Sequence, residues 1–308
     1  MNPQPWNEEQ LIRRVTDENA KKGPHIEVGI GDDCAVVVPQ SKDLLLCSDM
    51  LVEHTHFETS YFRASDIGFK SVVVNLSDIA AMGGIPKYVL CAVSGPKNFP
   101  IDEVLEGVQM ACYTYNADLV GGDISRSTEI VVTISVVGTS NNLVPMLRSK
   151  AAPGDSIVIT GPTGRSSAGL RSLSKKGQRP EHPSEVELAH LRPKARVTAG
   201  RVAAEFGTKA AIDISDGLAL DLHRVADASG VGFQLERVPF VSPATAEDAL
   251  FGGEDYELLL FHPDGELLVE MLEEVLEGTR ATVIGKVVED PTTRDLQGEP
   301  LLKRGYLH

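Results

Sequence analysis

The stretch Val74-Asn75-Leu76-Ser77-Asp78-Ile79-Ala80-Ala81-Met82-Gly83-Gly84 constrains this chain more than any other. Ile67, Phe69, Val72, Val73, Leu76, Ile79 and Ala80 recur at helical spacing, which predicts a helix from near Ser65 into this stretch. Asp78 is the anomaly, because Ala80, Ala81, Met82 and Gly83 around it carry no charge and little bulk. A buried carboxylate is costly unless a cation or several donors meet it. Small neighbours also let a backbone or a ligand approach closely. Asp78 therefore reads either as a capping or solvent-facing residue on a helix that ends at Gly83-Gly84, or as an acid that meets a ligand.

The same combination of an acid with small residues recurs along the chain. Gly29-Ile30-Gly31-Asp32-Asp33 precedes a strand that includes Val36, Val37 and Val38. It is not a dinucleotide fingerprint, because the third glycine is missing and a strand follows. Two acids at a glycine turn are also ordinary turn chemistry. Leu44–Asp49 reads as a strand ending in an acid, and the segment to Phe57 continues extended, which would put His54 and His56 on one face. Lys87–Ser94 is a predicted strand, Ile101–Tyr115 a helix, Leu119–Asp123 a short strand ending in Gly121-Gly122-Asp123, and Glu129–Thr139 another strand. This order suits helices packed on one face of a sheet.

Near Asn141 the character changes. Arg148 and Lys150 lie in a connecting stretch, and Ser156–Gly161 reads as a strand. Pro162-Thr163-Gly164-Arg165-Ser166-Ser167 opens a helix whose start could hold a phosphate. It is not a Walker A loop, because no Gly-Lys-Ser/Thr follows at the required spacing. Residues 171–195 are polar and read as a loop plus a helix. A further helix is expected over Lys194–Phe206. Ala210–Gly217 is a strand with Asp213 inside it, followed by a helix over Leu218–Ala228, where Ser215 or Asp216 could be the N-cap. Gly252-Gly253-Glu254-Asp255-Tyr256-Glu257 is a glycine-acid turn before the strand Leu258–Phe261, and Thr282–Val288 is a late strand. The length of 308 residues suits two domains, read here as 1–142 and 143–308.

Composition bears on what such acids could bind. Apolar residues make up 42% of the chain, enough for a core, and the formal net charge is −15. That charge argues against nucleic acid or an anionic membrane as the main partner. It would also repel a phosphate ligand unless divalent cations held by carboxylates intervene. Cys34, Cys47, Cys91 and Cys112 form no CxxC pair and no zinc-like spacing with histidine, so a reduced, cytoplasmic chain is expected. The N-terminus lacks the apolar core of a signal peptide, and no apolar run reaches the roughly 20 residues that span a bilayer.

Asp32-Asp33, Asp49, Asp78, Asp123 and the Asp213-Ser215-Asp216 group would repel one another if gathered without cations. Bound Mg²⁺ relieves that repulsion, typically through one or two carboxylates, waters and substrate phosphates. Several such ions could admit a triphosphate and spread the charge of a moving phosphoryl group. No GxSxG elbow and no Cys-His pair offers an activated nucleophile. An acceptor that is itself a phosphate monoester needs no general base, since its second pKa is about 6.

These motifs resemble those of the thiamine-monophosphate kinase family, in the superfamily that includes aminoimidazole ribonucleotide synthetase and selenophosphate synthetase. The resemblance covers nearly the whole chain. It is carried by Gly29–Ala35, Ser48–Val52 with His56-Phe57, Val74–Gly83, Gly121-Gly122-Asp123, Arg148-Ser149 before Pro153-Gly154-Asp155, His190-Leu191-Arg192-Pro193, Asp213–Leu218 and Gly252–Leu258. It implies ATP-dependent phosphorylation of thiamine monophosphate to thiamine diphosphate by direct in-line transfer with several Mg²⁺ ions. The implied metal contacts are Asp33, Cys47, Ser48, Asp49, Asp78, Asp123, Asp213 and Asp216. The implied ATP contacts are Gly122, Asp123, Arg148 and Ser215. His56 and Glu254 would meet the thiamine phosphate, with Tyr306 as an aromatic wall for its rings. The implied fold is α/β of the α+β type, the two-domain aminoimidazole ribonucleotide synthetase-like fold. Its N-terminal sheet forms a barrel across a homodimer, its C-terminal α/β domain completes the active site, and neither nucleic acid nor membrane is a partner. Cys47 stands where a serine or similar small polar residue is expected, and a backbone carbonyl would serve there equally well.

Two alternatives differ in class. A superfamily relative acting on another small substrate is one. Selenophosphate synthetase would want a reactive Cys in the N-terminal segment, and residues 1–28 contain none. The Gly-Gly-Glu-Asp-Tyr-Glu turn favours the kinase over an aminoimidazole ribonucleotide synthetase. A non-catalytic scaffold is the other, and it should have lost acids that are all present here.

Overall fold

The computed structural model describes Arg14 and residues 25–28, 36–39, 42–276 and 278–306. Leu11, Ile12 and Val15 lie at the spacing of an amphipathic helix over Glu8–Asn19, a segment outside the described residues apart from Arg14, as are Asp32 and Asp33. The chain forms two compact units. One comprises Met1–Leu76, Pro86–Asn142 and Gly177–Arg179, the other Ser77–Ile85, Leu143–Lys176 and Pro180–His308.

In the first unit β1 (Ile26–Val28) and β2 (Val36–Val37) make a small antiparallel pair. The main sheet contains β3 (Leu44–Val52), β4 (Ile85–Gly95), β5 (Asp118–Arg126) and β6 (Val131–Thr139), in the order β3-β6-β4-β5. It is an open sheet. β3 runs antiparallel to β6, with Leu44 opposite Thr139 and Val52 opposite Val131. β4 and β5 are parallel, a pairing that requires a crossover, here supplied by α2 (Ile101–Thr114). α1 (Ala64–Ala81) follows the expected periodicity, and Val72, Val73, Leu76 and Ile79 are fully buried. α1 and α2 approach through glycine. A Cβ on Gly68 would lie 1.9 Å from the Val104 carbonyl oxygen, and one on Gly107 would lie 2.0 Å from that of Ser65.

Three expectations for this unit are corrected. Neither β3 nor β5 ends at its acid: β3 runs through Asp49 to Val52, and β5 through Asp123 to Arg126. Gly122 permits a tight ladder rather than stopping the strand, because a Cβ there would meet the Cys91 carbonyl oxygen at 1.8 Å. The local register shift between Val89 and Leu90 is a bulge at the same place. Residues 54–56 are a turn, not a strand. His54 has φ +66°, and the N–H groups of Thr55 and His56 both donate to the Val52 carbonyl, so the two histidines share no strand face.

The second unit is built on a seven-stranded sheet in the order β13-β12-β9-β11-β7-β10-β8. Its strands are β7 (Ser156–Ile159), β8 (Ala210–Asp213), β9 (Gly232–Leu235), β10 (Leu258–His262), β11 (Thr282–Val288), β12 (Arg294–Leu296) and β13 (Glu299–Pro300). The β12–β9 pair is parallel and the other pairs are antiparallel. The helices are α3 (Arg165–Lys176), α4 (Glu185–Leu191), α5 (Val197–Glu205), α6 (Leu218–Ser229), α7 (Ala246–Phe251) and α8 (Gly265–Glu273). Alternation along the strands divides the core. Ile157, Ile159, Ile212, Leu259 and Phe261 pack with Leu218, Leu222 and Val225 of α6. Val158, Ala211, Leu258 and Leu260 pack with Ala199 and Ala203 of α5 and Leu268 and Leu272 of α8. Helices therefore cover both faces. Among the described residues no helix is long and apolar enough to cross a membrane.

Candidate active site

The polar centre of the second unit is the turn between β8 and α6. Asp213 is the last residue of β8, at the strand end rather than inside it, and is 3% exposed. Its Oδ2 accepts the Ser77 hydroxyl at 2.7 Å. Ser77 neighbours the half-buried Asp78, and both belong with Asp213 to the second unit, so this bond ties the last turns of α1 to the end of β8 within that unit. Neither Ser215 nor Asp216 is the N-cap of α6. That position is Gly217, at φ +115°, a backbone state that favours glycine. Asp221, fully buried in the first turn of α6, accepts the N–H of Ser215 at 3.1 Å and of Asp216 at 3.0 Å. Arg224 Nη1 donates to Asp216 Oδ2 at 2.5 Å and to Asp221 Oδ1 at 2.6 Å. Burial pushes the Asp221 carboxyl up to about 7, helped by Asp213 and Asp216 and opposed by the Asp216 N–H and Arg224.

The other faces of this turn receive two more residues singled out in the sequence. Glu254 donates its N–H to the Ser215 carbonyl at 2.7 Å, and Tyr306 donates its N–H to the Asp216 carbonyl at 2.9 Å. Tyr306 is 46% exposed. Glu254 has φ +66°, and its Oε2 lies 3.3 Å from Nδ1 of the buried His190, which also contacts Ser166 Oγ at 3.1 Å. The structure thus brings together Asp213, Ser215, Asp216, Glu254 and Tyr306. Arg148 stands in a short 3-10 turn, Arg148–Lys150, and its carbonyl accepts from Ser229 Oγ at 2.8 Å.

The remaining acids of the 252–257 loop are structural. Asp255 accepts the N–H groups of Gly164 at 2.6 Å and Ser166 at 3.1 Å, and burial pushes its carboxyl up to about 7. The start of α3 is therefore already occupied by a carboxylate, which corrects its reading as a phosphate cradle. Glu257 takes Arg196 through two bonds, at 2.8 and 2.5 Å, and the Thr160 hydroxyl at 2.6 Å. Glu187 supports the helix that carries His190. It closes the capping box with Ser184 and also accepts from Lys176 and Ser172. Burial raises its carboxyl, but these donors outweigh it and bring it down to about 2 from 4.5. A depressed carboxyl favours the folded state above the unfolded pKa, and that advantage is lost as pH falls from 4.5 toward 2. Glu187→Gln is expected to cost ~2 kcal/mol at neutral pH and to flatten the fall in melting temperature over that acid window. Parallel melts of both proteins from neutral to acid pH check it.

In the first unit Asp49 and Asp123 lie on β3 and β5, the two edge strands of the sheet, and both are exposed. Ser125 Oγ donates to Asp123 Oδ2 at 3.0 Å. Ser48 Oγ donates to the Ile134 carbonyl at 3.0 Å and lies 2.9 Å from Ser135 Oγ. The Cys47 thiol donates to the Asn75 carbonyl at 3.3 Å, and the Asp49 N–H donates to Asn75 Oδ1 at 2.9 Å. His56 Nδ1 accepts the Val52 N–H at 3.0 Å, so a neutral ring carries its proton on Nε2. His54 pairs with Glu58 at 3.0 Å, and that contact raises its pKa. Asn75, Ser77, Asp221 and Arg224 received no role from the sequence. A buried Asn and Ser inside an apolar helix were the available signal for the first two, and the helix spacing of Asp221 and Arg224 for the others.

Among the described residues no group of three or more His, Cys, Asp or Glu side chains could hold a metal ion. Asp33 lies outside those residues. The donor chemistry still fits Mg²⁺, since the aspartates and Ser48 offer hard oxygens and this ion takes few protein ligands. The Cys47 thiol does not fit.

The fold and these motifs define an AIR synthase related protein of two domains. The model of the N-terminal domain of that family matches residues 31–140, and the model of its C-terminal domain matches residues 152–295. Thiamine-monophosphate kinase of Bacillus subtilis (strain 168) is 34% identical, over 98% of this chain and 99% of the relative. That of Aquifex aeolicus (strain VF5) is 38% identical, over 84% and 90%. The solved structure of AaThiL complexed with AMPPCP and TMP is 32% identical, with a TM-score of 0.76 over 97% of this chain and 96% of that one. The chain belongs to the thiamine-monophosphate kinase family and is a kinase.

Proposed function

We propose that this protein transfers the γ-phosphoryl group of ATP to thiamine monophosphate, giving thiamine diphosphate. The observation that carries the reading is the β8–α6 turn, where Asp213, Ser215 and Asp216 meet Glu254 and Tyr306. The chemistry named for AaThiL, AMPPCP with TMP, supports it from a relative of similar length. In this reading residues 1–142 supply nucleotide and metal contacts and the dimer interface, and residues 143–308 complete the site.

Asp33, Asp49, Asp78, Asp123, Asp213 and Asp216 would hold Mg²⁺ with Ser48 and the Cys47 backbone carbonyl. When bound, the ions supply positive charge to the triphosphate and to the transferred group. Gly122, Asp123, Arg148 and Ser215 orient ATP. His56 and Glu254 orient the thiamine phosphate against Tyr306. The acceptor phosphate is already largely anionic at neutral pH, so the chain needs to align it rather than deprotonate it. A homodimer is supported by exposed apolar side chains on the open sheet: Leu44 (48%), Leu46 (72%) and Met50 (54%) on β3 and Leu90 (42%) on β4. A second copy would cover them by closing a barrel. A cytoplasmic location is supported by Cys91 and Cys112, which are buried as free thiols.

The test is incubation with ATP and Mg²⁺ against thiamine monophosphate and a panel of other phosphate monoesters. Thiamine diphosphate is expected, with EDTA abolishing its formation. Turnover of another monoester, or none, would overturn the reading.

A further inference from the structure

We propose that Asp221 is a positioning residue for nucleotide and metal binding, acting through the Ser215–Asp216 turn. The inference rests on the reading of that turn given above. The role assigned to Asp221 is indirect. Its Oδ2 gathers two consecutive backbone N–H groups, those of Ser215 and Asp216, at 3.1 and 3.0 Å. Its Oδ1 accepts Arg224 Nη1 at 2.6 Å, and the same nitrogen reaches Asp216 Oδ2 at 2.5 Å. One carboxylate thus sets both the backbone of the turn and, through Arg224, the side chain of Asp216.

The carbonyls of the turn are fixed by other groups. Glu254 holds that of Ser215 and Tyr306 that of Asp216. Those bonds come from loop backbone, whereas Asp221 holds the N–H side from inside a helix. Asp221 is fully buried, so its charge is costly, and it lies near two more acids, Asp213 and Asp216. An uncharged residue of similar size would pack α6 with less penalty. A carboxyl at this place is explained by the donors it holds: two N–H groups and a guanidinium. A turn held in this way presents the Ser215 and Asp216 side chains in one orientation before any ligand arrives. Outer contacts of this kind commonly change metal affinity by about 10–100-fold.

The test compares wild type, Asp221→Ala and Asp221→Asn. Mn²⁺ binding is followed by electron paramagnetic resonance and AMPPCP binding by calorimetry, neither of which needs the acceptor substrate. Asp221→Ala should weaken Mn²⁺ and AMPPCP binding at least ~10-fold and raise the KM for ATP, with the KM for thiamine monophosphate nearly unchanged. Asp221→Asn keeps one oxygen acceptor, so it should recover part of the loss, and raised Mn²⁺ should restore more of it. A purely structural role predicts something different: a lower melting temperature and a reduced active fraction, which lowers kcat alone and leaves both affinities intact. That result would overturn the proposal. Should wild type bind Mn²⁺ and AMPPCP but make no thiamine diphosphate, the kinase reading of the acceptor fails while the binding comparison still decides the role of Asp221.

Discussion

Asp213→Asn is expected to lower thiamine diphosphate production by roughly 1000-fold while shifting the melting temperature by no more than about 2 °C. The two effects separate for a physical reason. Asparagine keeps an oxygen that can accept the Ser77 hydroxyl, now at 2.7 Å from the carboxylate, so the link between α1 and β8 survives. It removes a negative charge from a residue that is 3% exposed and lies close to Asp221. Loss of that charge relieves burial and repulsion in the free protein. Under the proposed function, what disappears is the attraction for Mg²⁺ and hence the charge brought to the triphosphate. Steady-state kinetics beside thermal melts decide it. A parallel collapse of folding and activity would make Asp213 a structural acid.

Gly68→Ala is expected to destabilise the protein by about 3 kcal/mol, although helix propensity alone favours alanine by about 1 kcal/mol. Steric exclusion wins because the obstacle is backbone. The added Cβ would lie 1.9 Å from the Val104 carbonyl oxygen and 3.0 Å from the Val108 nitrogen, atoms that cannot rotate away. α1 and α2 must then move apart, loosening contacts around Val72, Val104 and Val108, all fully buried. Gly107 makes the reciprocal approach to Ser65, so Gly107→Ala should cost a similar amount. The double variant should cost less than the sum, since one separation of the helices accommodates both methyl groups. Denaturant unfolding of the two single variants and the double variant measures this. A stabilised Gly68→Ala would show that propensity dominates.

Much of the fold was legible because it follows from local periodicity. The apolar spacing of 67–80 gave α1, and the Val and Ile runs gave β6 and β11 within a residue or two. Strand ends were less legible. Gly121-Gly122 looked like a terminator, but Gly122 answers to the Cys91 backbone on the neighbouring strand, a contact that no window of sequence around Gly122 contains. The start of α3 looked open to phosphate because its partner, Asp255, lies ninety residues further along the chain. His54 and His56 looked like strand neighbours until a left-handed residue folded the segment into a turn.

By itself the sequence determined the inventory: which acids stand beside small residues, in what order, and that neither a GxSxG elbow nor a recognisable Cys-His pair accompanies them. Pattern and residue type are local properties, and local properties are written directly in the chain. Tertiary structure decided which acids are held and by what. Ser77 reaches Asp213 across 136 residues, Arg196 neutralises Glu257 across 61, and Arg224 engages Asp216 and Asp221 together. Whether a carboxylate serves as a ligand, a cap or half of an ion pair depends on the donors that surround it, and those donors come from distant parts of the chain.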